Sequence, residues 1–405
     1  MKKAGNNPNS LPFLKSLKIQ KLQNSIAQSQ DNYNLNGLYG SSKSFLINQL
    51  FDSKRNLLWV LNDKESAVYH FNDLENFMEK KYCSFFPSSY NRYKDFTKTN
   101  SQSVFQRTEV IKNLNSKNNS QIIVTYPEAI FEKIIQKKEI NKRILKIYKG
   151  QVLNLDVLNE QLFHFEFNRE DFVLEPGDFS VRGGIVDIFS YSNNLPYRIE
   201  FFGDEVESIR TFDVESQVSN NTFEIIEILA ALDNKESSYN REDIFSFISA
   251  SSVLITENLT FLKDELKGLH SHLTESKLSQ NEFNSERINE LFYNGDSLLS
   301  DLKKFSVITL NGNKSEKQYD FNIIPQPTFN KKFNLLIENL INYKEKGYSI
   351  RIFCSSKNQI NRFKEIFEQN ETLLNIILIE KPIYKGYVNN DEKEVCYSDH
   401  EIFDR

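Results

Sequence analysis

The sequence predicts an α/β fold in three parts: an α/β domain interrupted by a β-rich insert, then a small α/β domain. Three observations lead there. A glycine-led loop, Gly37–Ser44, stands before a helical stretch and the apolar strand Leu57–Leu61. Val173–Asp213 strings short β-branched and aromatic runs between turn signals, in the alternating manner of strands. From Thr222 onward strands and helices mix again, and the polar stretch Asn311–Tyr319 reads as a linker to a last unit. The resulting bounds are 1–139 and 222–317 for the interrupted domain, 140–221 for the insert and 318–405 for the small domain.

Composition narrows the classes. The 405 residues carry 50 basic and 55 acidic side chains, a net charge of −5, which argues against a global electrostatic grip on nucleic acid. An apolar share of 39% and an aromatic share of 13% suffice for several folded cores. Cys83, Cys354 and Cys396 lie far apart without metal-ligand spacing and read as reduced thiols of a cytosolic protein. No apolar signal region follows the two N-terminal lysines and no stretch approaches a membrane span. A cytoplasmic location without membrane contact is expected.

The first thirty or so residues are rich in Asn, Ser, Gln and Lys. Leu14–Ile26 reads as a helix with Leu14, Leu17, Ile19 and Leu22 buried, and Asp31–Asn36 breaks that pattern. Gly37–Ser44 then reads G-L-Y-G-S-S-K-S. A phosphate loop needs G-x-x-x-x-G-K-[ST], because backbone amides wrap the phosphates while Lys neutralises them. Gly37, Lys43 and Ser44 match, but Ser42 replaces the second glycine and its side chain intrudes where the phosphate needs room. The following helix and strand suit a RecA-like unit, so the stretch reads as a phosphate loop that kept its shape and lost its function.

A working nucleotide site also needs a carboxylate for magnesium at the end of an apolar strand. Two places were open. Asp204-Glu205 follows Ile199–Phe202 but sits in a turn. The strand Gln121–Tyr126 runs into Pro127-Glu128, a single acid beside a proline. Nucleotide hydrolysis by these residues is therefore not expected. Asp63–Lys80 reads as a helix, Cys83–Phe86 as a short strand, Phe105–Leu114 as a helix and Glu128–Glu139 as another. Ser88–Ser103 interleaves Tyr90, Tyr93 and Phe96 with Arg92, Lys94 and Lys98. That pattern can stack on single-stranded nucleic acid, but a polar loop accounts for it more simply.

In the insert, Glu175-Pro176-Gly177 makes a turn, Gly183-Gly184 a bulge or tight bend, and Ser192–Asn194 another turn. Ile185–Phe189 and Tyr197–Phe202 are expected to pair as antiparallel strands. Alternation puts Tyr197, Ile199 and Phe201 on the core side and Arg198, Glu200 and Phe202 outside. An aromatic beside an arginine outside the core is either one stray exposed ring or a docking patch.

Beyond the insert, Phe223–Leu229, Ser252–Ile255 and Phe305–Leu310 read as strands, and Leu259–Leu269 and Ser285–Phe292 as helices. His270, His272 and Glu275 lack a third ligand or housing strand and read as a polar loop rather than a metal site. No catalytic arrangement can be assembled. The last unit shows a helix through Phe333, Leu336, Leu340 and Tyr343, a strand Ser349–Cys354, a helix Lys357–Glu368, and strands at Asn375–Ile379, Ile383–Val388 and Glu394–Tyr397.

The run PGDFSVRGGIVDIF, followed by LPYRIEFFGDEVESIRTFD, resembles the UvrB-homology module of bacterial transcription-repair coupling factors. FNIIPQPTFNKKFNLL and GYVNNDEKEVCYSDHEIFDR resemble the small domain that follows it. The resemblance implies that the insert binds UvrA through Arg182, Arg198 and Phe202. It also implies that the phosphate-loop remnant is inactive, with no cofactor in this part, and that the long tyrosine-rich hairpin with which UvrB clamps damaged DNA is lacking. In such factors an RNA-polymerase-binding domain and a DNA translocase follow, so this chain resembles the N-terminal part of a longer protein. The whole would use ATP and magnesium to move on double-stranded DNA and displace stalled RNA polymerase. A UvrB-type helicase fragment with its own ATP site, or a docking module for an unrelated partner, are the alternatives.

Overall fold

The computed structural model describes residues 12–13, 16–92, 95–116, 120–232, 240–279, 284–312, 317–368 and 376–404. Leu14, Tyr93 and Lys94 of the readings above lie outside them.

Seven parallel strands form the central sheet, in the order Lys317–Asp320, Asn32–Asn36, Ser306–Leu310, Val253–Thr256, Leu57–Val60, Ile122–Thr125, Cys83–Phe85. Leu57–Val60, Ile122–Thr125 and Val253–Thr256 are buried at every position, as befits parallel strands covered on both faces. The predicted α/β class is what forms.

Asn32–Asn36, read as a pattern break, is the strand that leads into the phosphate-loop remnant. Its polar centre is affordable because Asn34 is fully satisfied. Its amide group donates to the Asn36 side chain at 3.0 Å and to the Gly312 carbonyl at 3.2 Å, while its oxygen accepts the Gly312 amide at 3.0 Å. The first helix runs Leu17–Gln28 and buries Ile19, Leu22 and Ile26, whereas Leu17 is exposed. Part of the expected linker Asn311–Tyr319 belongs to the edge strand Lys317–Asp320, which lies beside Asn32–Asn36 in the central sheet.

Two other local readings change. Tyr90–Arg92 and Asp95–Thr99 pair as a small antiparallel hairpin instead of a loop. Glu128–Glu139 is not one helix: Pro127–Phe131 stops, Ile134–Ile135 pairs with Arg241–Glu242, and a short turn of helix follows at Lys137–Ile140. The cause is Glu132, fully buried, whose carboxylate accepts from the Ser89 amide at 2.8 Å and from the Ser88 and Ser89 hydroxyls, each at 2.6 Å. That demand on Glu132 overrides helix propensity.

The insert has its own core, built on Leu158, Leu162, Phe179, Val186, Ile188 and Ile199. Its six-stranded sheet runs Ser219–Thr222, Glu205–Phe212, Tyr197–Phe202, Ile185–Ile188, Asp178–Arg182, Asn168–Arg169. Ile144–Tyr148 leads in and pairs antiparallel with the returning Ile225–Leu229. Buried Ile226 and Ile228 belong to the insert core, so the β-rich unit continues past the Asn221 exit read from the sequence.

The last unit is a five-stranded mixed sheet, in the order Ile323–Pro325, Tyr387–Asn389, Glu394–Ser398, Ser349–Phe353, Ile377–Ile379. Of the expected strand Ile383–Val388 only Tyr387 and Val388 lie in the sheet, in the strand Tyr387–Asn389. Phe353, Ile383, Tyr387 and Cys396 of this unit join the core of the large domain, where Phe45 packs against Phe77, Phe353 and Tyr387.

Candidate protein-docking site

Tyr197–Phe202 alternates as its composition requires. Tyr197, Ile199 and Phe201 are buried, Arg198 and Glu200 half-buried, and Phe202 is 78% exposed. Asp187 stands opposite Arg198 and Ile185 opposite Glu200 in the neighbouring strand. Gly183-Gly184 forms a two-residue hairpin turn, with Arg182 paired to Ile185 and Gly183 at a φ of +60°. A β-carbon on Gly184 would come within 3.0 Å of the Phe201 carbonyl, and the Phe201 amide bonds the Gly184 carbonyl at 2.8 Å. The diglycine is thus a tight turn that lets the hairpin tip close on the strand Tyr197–Phe202, and the register irregularity falls instead between Glu200 and Phe201.

Phe202 ends the strand just before the Gly203-Asp204 turn, beside an open cleft of ≈ 270 Å³ bordered by Lys149, Gly150, Glu205 and Glu207. Asp204 is the turn residue expected of it. Behind Phe202, Glu200 accepts from Ser208 at 2.7 Å and from Arg210 at 3.0 Å, and these bonds hold its carboxyl below the ordinary range. A charge so engaged is not offered to a partner.

The two arginines share one carboxylate. Asp187 is 2% exposed and accepts from Arg198 Nε at 2.7 Å, from Arg198 Nη2 at 2.8 Å and from Arg182 Nη2. Arg198 lies over the Phe212 ring at 4.1 Å and Arg182 over the Phe172 ring at 5.0 Å. Sequence reasoning missed Asp187; the available signal was a carboxylate inside the apolar run Ile185–Phe189.

At the phosphate-loop remnant nearly every phosphate-binding group is engaged within the chain. The Gly37 amide donates to the Asn311 side chain at 2.9 Å, and the Tyr39 amide to the Ser42 hydroxyl at 3.0 Å. The Ser41 amide donates to the Lys385 carbonyl at 3.1 Å. Lys43 forms an ion pair with Glu257. Glu257, at the end of the strand Val253–Thr256, is a third acid that the sequence reading did not weigh. Ser44 Oγ donates to Asp73 at 2.9 Å and faces His70 Nδ1 at 2.8 Å.

Burial pushes His70 down to about 3, so its ring is neutral near pH 7. The single Ser44 proton goes to Asp73, which makes Nδ1 of His70 the donor to Ser44. Burial also pushes the Asp73 carboxyl up to about 6, against hydrogen bonds from Ser41, the Tyr384 amide and Ser44.

Lys385 closes the loop from outside. A β-carbon on Gly40 would meet the Lys385 carbonyl at 2.8 Å, and Tyr384 stacks on Tyr69 with ring centres 4.2 Å apart. The residues present therefore do not fit a triphosphate: the amides of Gly37, Tyr39 and Ser41, the lysine and the magnesium-side hydroxyl are committed elsewhere.

Elsewhere, His270, His272 and Glu275 lie on the helix Leu259–Ser279, not in a loop, and His270 bonds Asn289 at 3.0 Å. No metal-ligand cluster occurs among the described residues, and no helix there is long and apolar enough to cross a membrane.

Comparison with known proteins agrees with the resemblance read from the sequence. Residues 145–233 match the UvrB interaction domain. Transcription-repair-coupling factors are similar over longer stretches. The protein of Bacillus subtilis (strain 168) is 29% identical over 269 residues, 64% of this chain and 22% of that protein. That of Rickettsia typhi is 30% identical over 181 residues, 44% and 16%. That of Escherichia coli (strain K12) is 33% identical over 110 residues, 27% and 10%. The matches thus span under a quarter of the length of these relatives. Among solved structures, the DEAD-box helicase Mss116 bound to ssRNA and UDP-BeF aligns with 88% of this chain and 54% of its own at 12% identity and a TM-score of 0.24, too low to bear on function. The chain is thus similar to the transcription-repair-coupling factors over up to 64% of its length, and its residues 145–233 match the UvrB interaction domain.

Proposed function

We propose that this chain is a non-catalytic docking module that recruits UvrA through Arg182, Arg198 and Phe202. It would do so as part of a cytoplasmic transcription-repair coupling factor acting in nucleotide excision repair. The whole protein would move on double-stranded DNA with ATP and magnesium and displace RNA polymerase stalled at a lesion.

The observation that carries the proposal is Phe202. A phenylalanine 78% exposed, at the end of a strand whose alternate side chains are buried, forfeits burial that the fold could have used. Exposed aromatics next to arginines are the usual anchors of protein interfaces. The surrounding segment is the one that matches the UvrB interaction domain. Nucleotide chemistry has no place in the proposal for this part, because Lys43, Ser44 and the amides of Gly37, Tyr39 and Ser41 already have partners.

The test is a binding titration of this chain with UvrA, beside Arg182→Ala, Arg198→Ala and Phe202→Ala. Loss of affinity on truncating Phe202, with folding intact, is the expected result. Unchanged affinity in all three folded variants would overturn the assignment.

A further inference from the structure

Arg182 and Arg198 occupy unlike surroundings. The Arg198 side chain is 13% exposed. It grips Asp187 through two nitrogens, shares Nη2 with the Gln217 side chain at 2.9 Å, and has its face covered by Phe212. A guanidinium held in a bidentate pair, stacked and mostly covered has little left to give a partner. The Arg182 side chain is 38% exposed and reaches Asp187 through Nη2 alone. Its Cζ lies over the Phe172 ring, 5.0 Å from the ring centre, and Phe172 is itself 59% exposed.

The charges decide the partner's chemistry. Two guanidiniums around one buried carboxylate leave a single net positive charge. Glu200 and Arg210, on the next strand, cancel one another. The surplus charge is therefore presented where the cluster meets solvent, at Arg182, next to an exposed aromatic ring.

Resting on the docking proposal above, and narrowing the part of Arg198 in it from contact to support, we propose that Arg182 and Phe172 form one contact pair, and that Asp187 and Arg198 are positioning residues which fix Arg182 without touching the partner. The partner surface offers one carboxylate beside an apolar side chain at this point. It offers a separate apolar pocket for Phe202, two strands away or roughly 10 Å across the sheet. Phe172 thereby joins the docking residues.

The experiment titrates UvrA against the wild-type chain and Phe202→Ala, Arg182→Lys, Arg198→Lys, Phe172→Ala and Asp187→Asn, over a series of salt concentrations. Phe202→Ala reports on the docking proposal itself. If it binds like wild type, that proposal fails and this one with it. If it weakens binding, the others decide. Arg182→Lys, which loses the fork and the stack, is expected to weaken binding roughly fivefold or more, as is Phe172→Ala. Arg198→Lys, which keeps a cation against Asp187, is expected to stay within about threefold. Asp187→Asn releases Arg182 from the contact that positions it, so affinity falls, while the second uncompensated guanidinium steepens the salt dependence; a residue serving stability alone would leave the salt dependence unchanged. The Lys pair carries the test even if Asp187→Asn does not fold. Arg198→Lys costing as much as Arg182→Lys, Phe172→Ala binding like wild type, or an unaltered salt dependence in folded Asp187→Asn would each overturn the division of roles.

Discussion

Ser41 and Lys385 exchange two hydrogen bonds. The Ser41 amide donates to the Lys385 carbonyl at 3.1 Å, and the Lys385 amide donates to the Ser41 hydroxyl at 3.0 Å. An amide of the phosphate-loop remnant is thereby paired with the small C-terminal domain. Tyr384 and Pro382 of the same segment bond Asp73 at 2.7 Å and Asn76 at 2.9 Å. The remnant serves as a dock between two units of the chain.

Restoring the loop motif should not restore nucleotide binding. Ser42→Gly rebuilds the consensus, yet Lys43 still faces Glu257 and Ser44 still faces Asp73. Ser42 also closes the loop on itself, its hydroxyl donating to the Tyr39 carbonyl at 2.6 Å. The variant is expected to lose about 1–2 kcal/mol of stability. A fluorescent ATP analogue with magnesium should show no saturable binding to it. Saturable binding that disappears on Lys43→Ala would refute this.

What the sequence made legible follows from how local each cause is. The faces of Tyr197–Phe202 could be read directly, because a strand buried on one side writes its burial into every second residue. Asn32–Asn36 could not, since two of the bonds that satisfy Asn34 are made with Gly312, 278 residues away. Asp187 was visible as a charge in an apolar run, but its two arginines meet it only once the register places Arg198 opposite and the diglycine turn brings Arg182 back. The loop's departure from the phosphate-loop consensus was legible at Ser42 alone. That Lys385 covers it was not, because 344 residues separate Lys385 from Ser41.

Gly40→Ala should loosen the contact between the two units. Gly40 sits at a φ of +52°, and an added β-carbon would lie 2.8 Å from both the carbonyl oxygen and the β-carbon of Lys385. Backbone strain and overlap together are expected to cost about 1–3 kcal/mol. Hydrogen exchange should rise first at residues 383–387. Unchanged protection there would show that the contact does not hold the units together.

Phe201 and Phe202 are adjacent and should behave oppositely. Phe201 is 8% exposed in the insert core, so Phe201→Ala is expected to destabilise by about 3 kcal/mol or more. Phe202→Ala removes an exposed ring and should stay within about 0.5 kcal/mol of wild type. Urea unfolding followed by circular dichroism measures both. Equal destabilisation would mean that Phe202 is not the outward-facing residue.

His70 and Asp73 should cancel in the pH dependence of stability, and Asp73→Asn should expose the cancellation. His70 is lowered from 6.5 to about 3 in the folded protein, so between those values the unfolded chain binds the extra proton and stability rises with pH. Asp73 is raised from 3.8 to about 6, so over that interval the folded chain binds the extra proton and stability falls with pH. Where the intervals overlap, roughly pH 4 to 6, the two slopes are equal and opposite at about 1.4 kcal/mol per pH unit each. Asp73→Asn removes only the second. Relative to wild type, the variant should therefore lose about 1.4 kcal/mol for each pH unit of acidification across that interval, and match the wild-type slope above about pH 7. Denaturant midpoints of the two proteins across this pH range give the difference directly. Parallel curves between pH 4 and 6 would show that Asp73 is already ionised in the folded state, and that the hydrogen bonds from Ser44 and Tyr384 outweigh its burial.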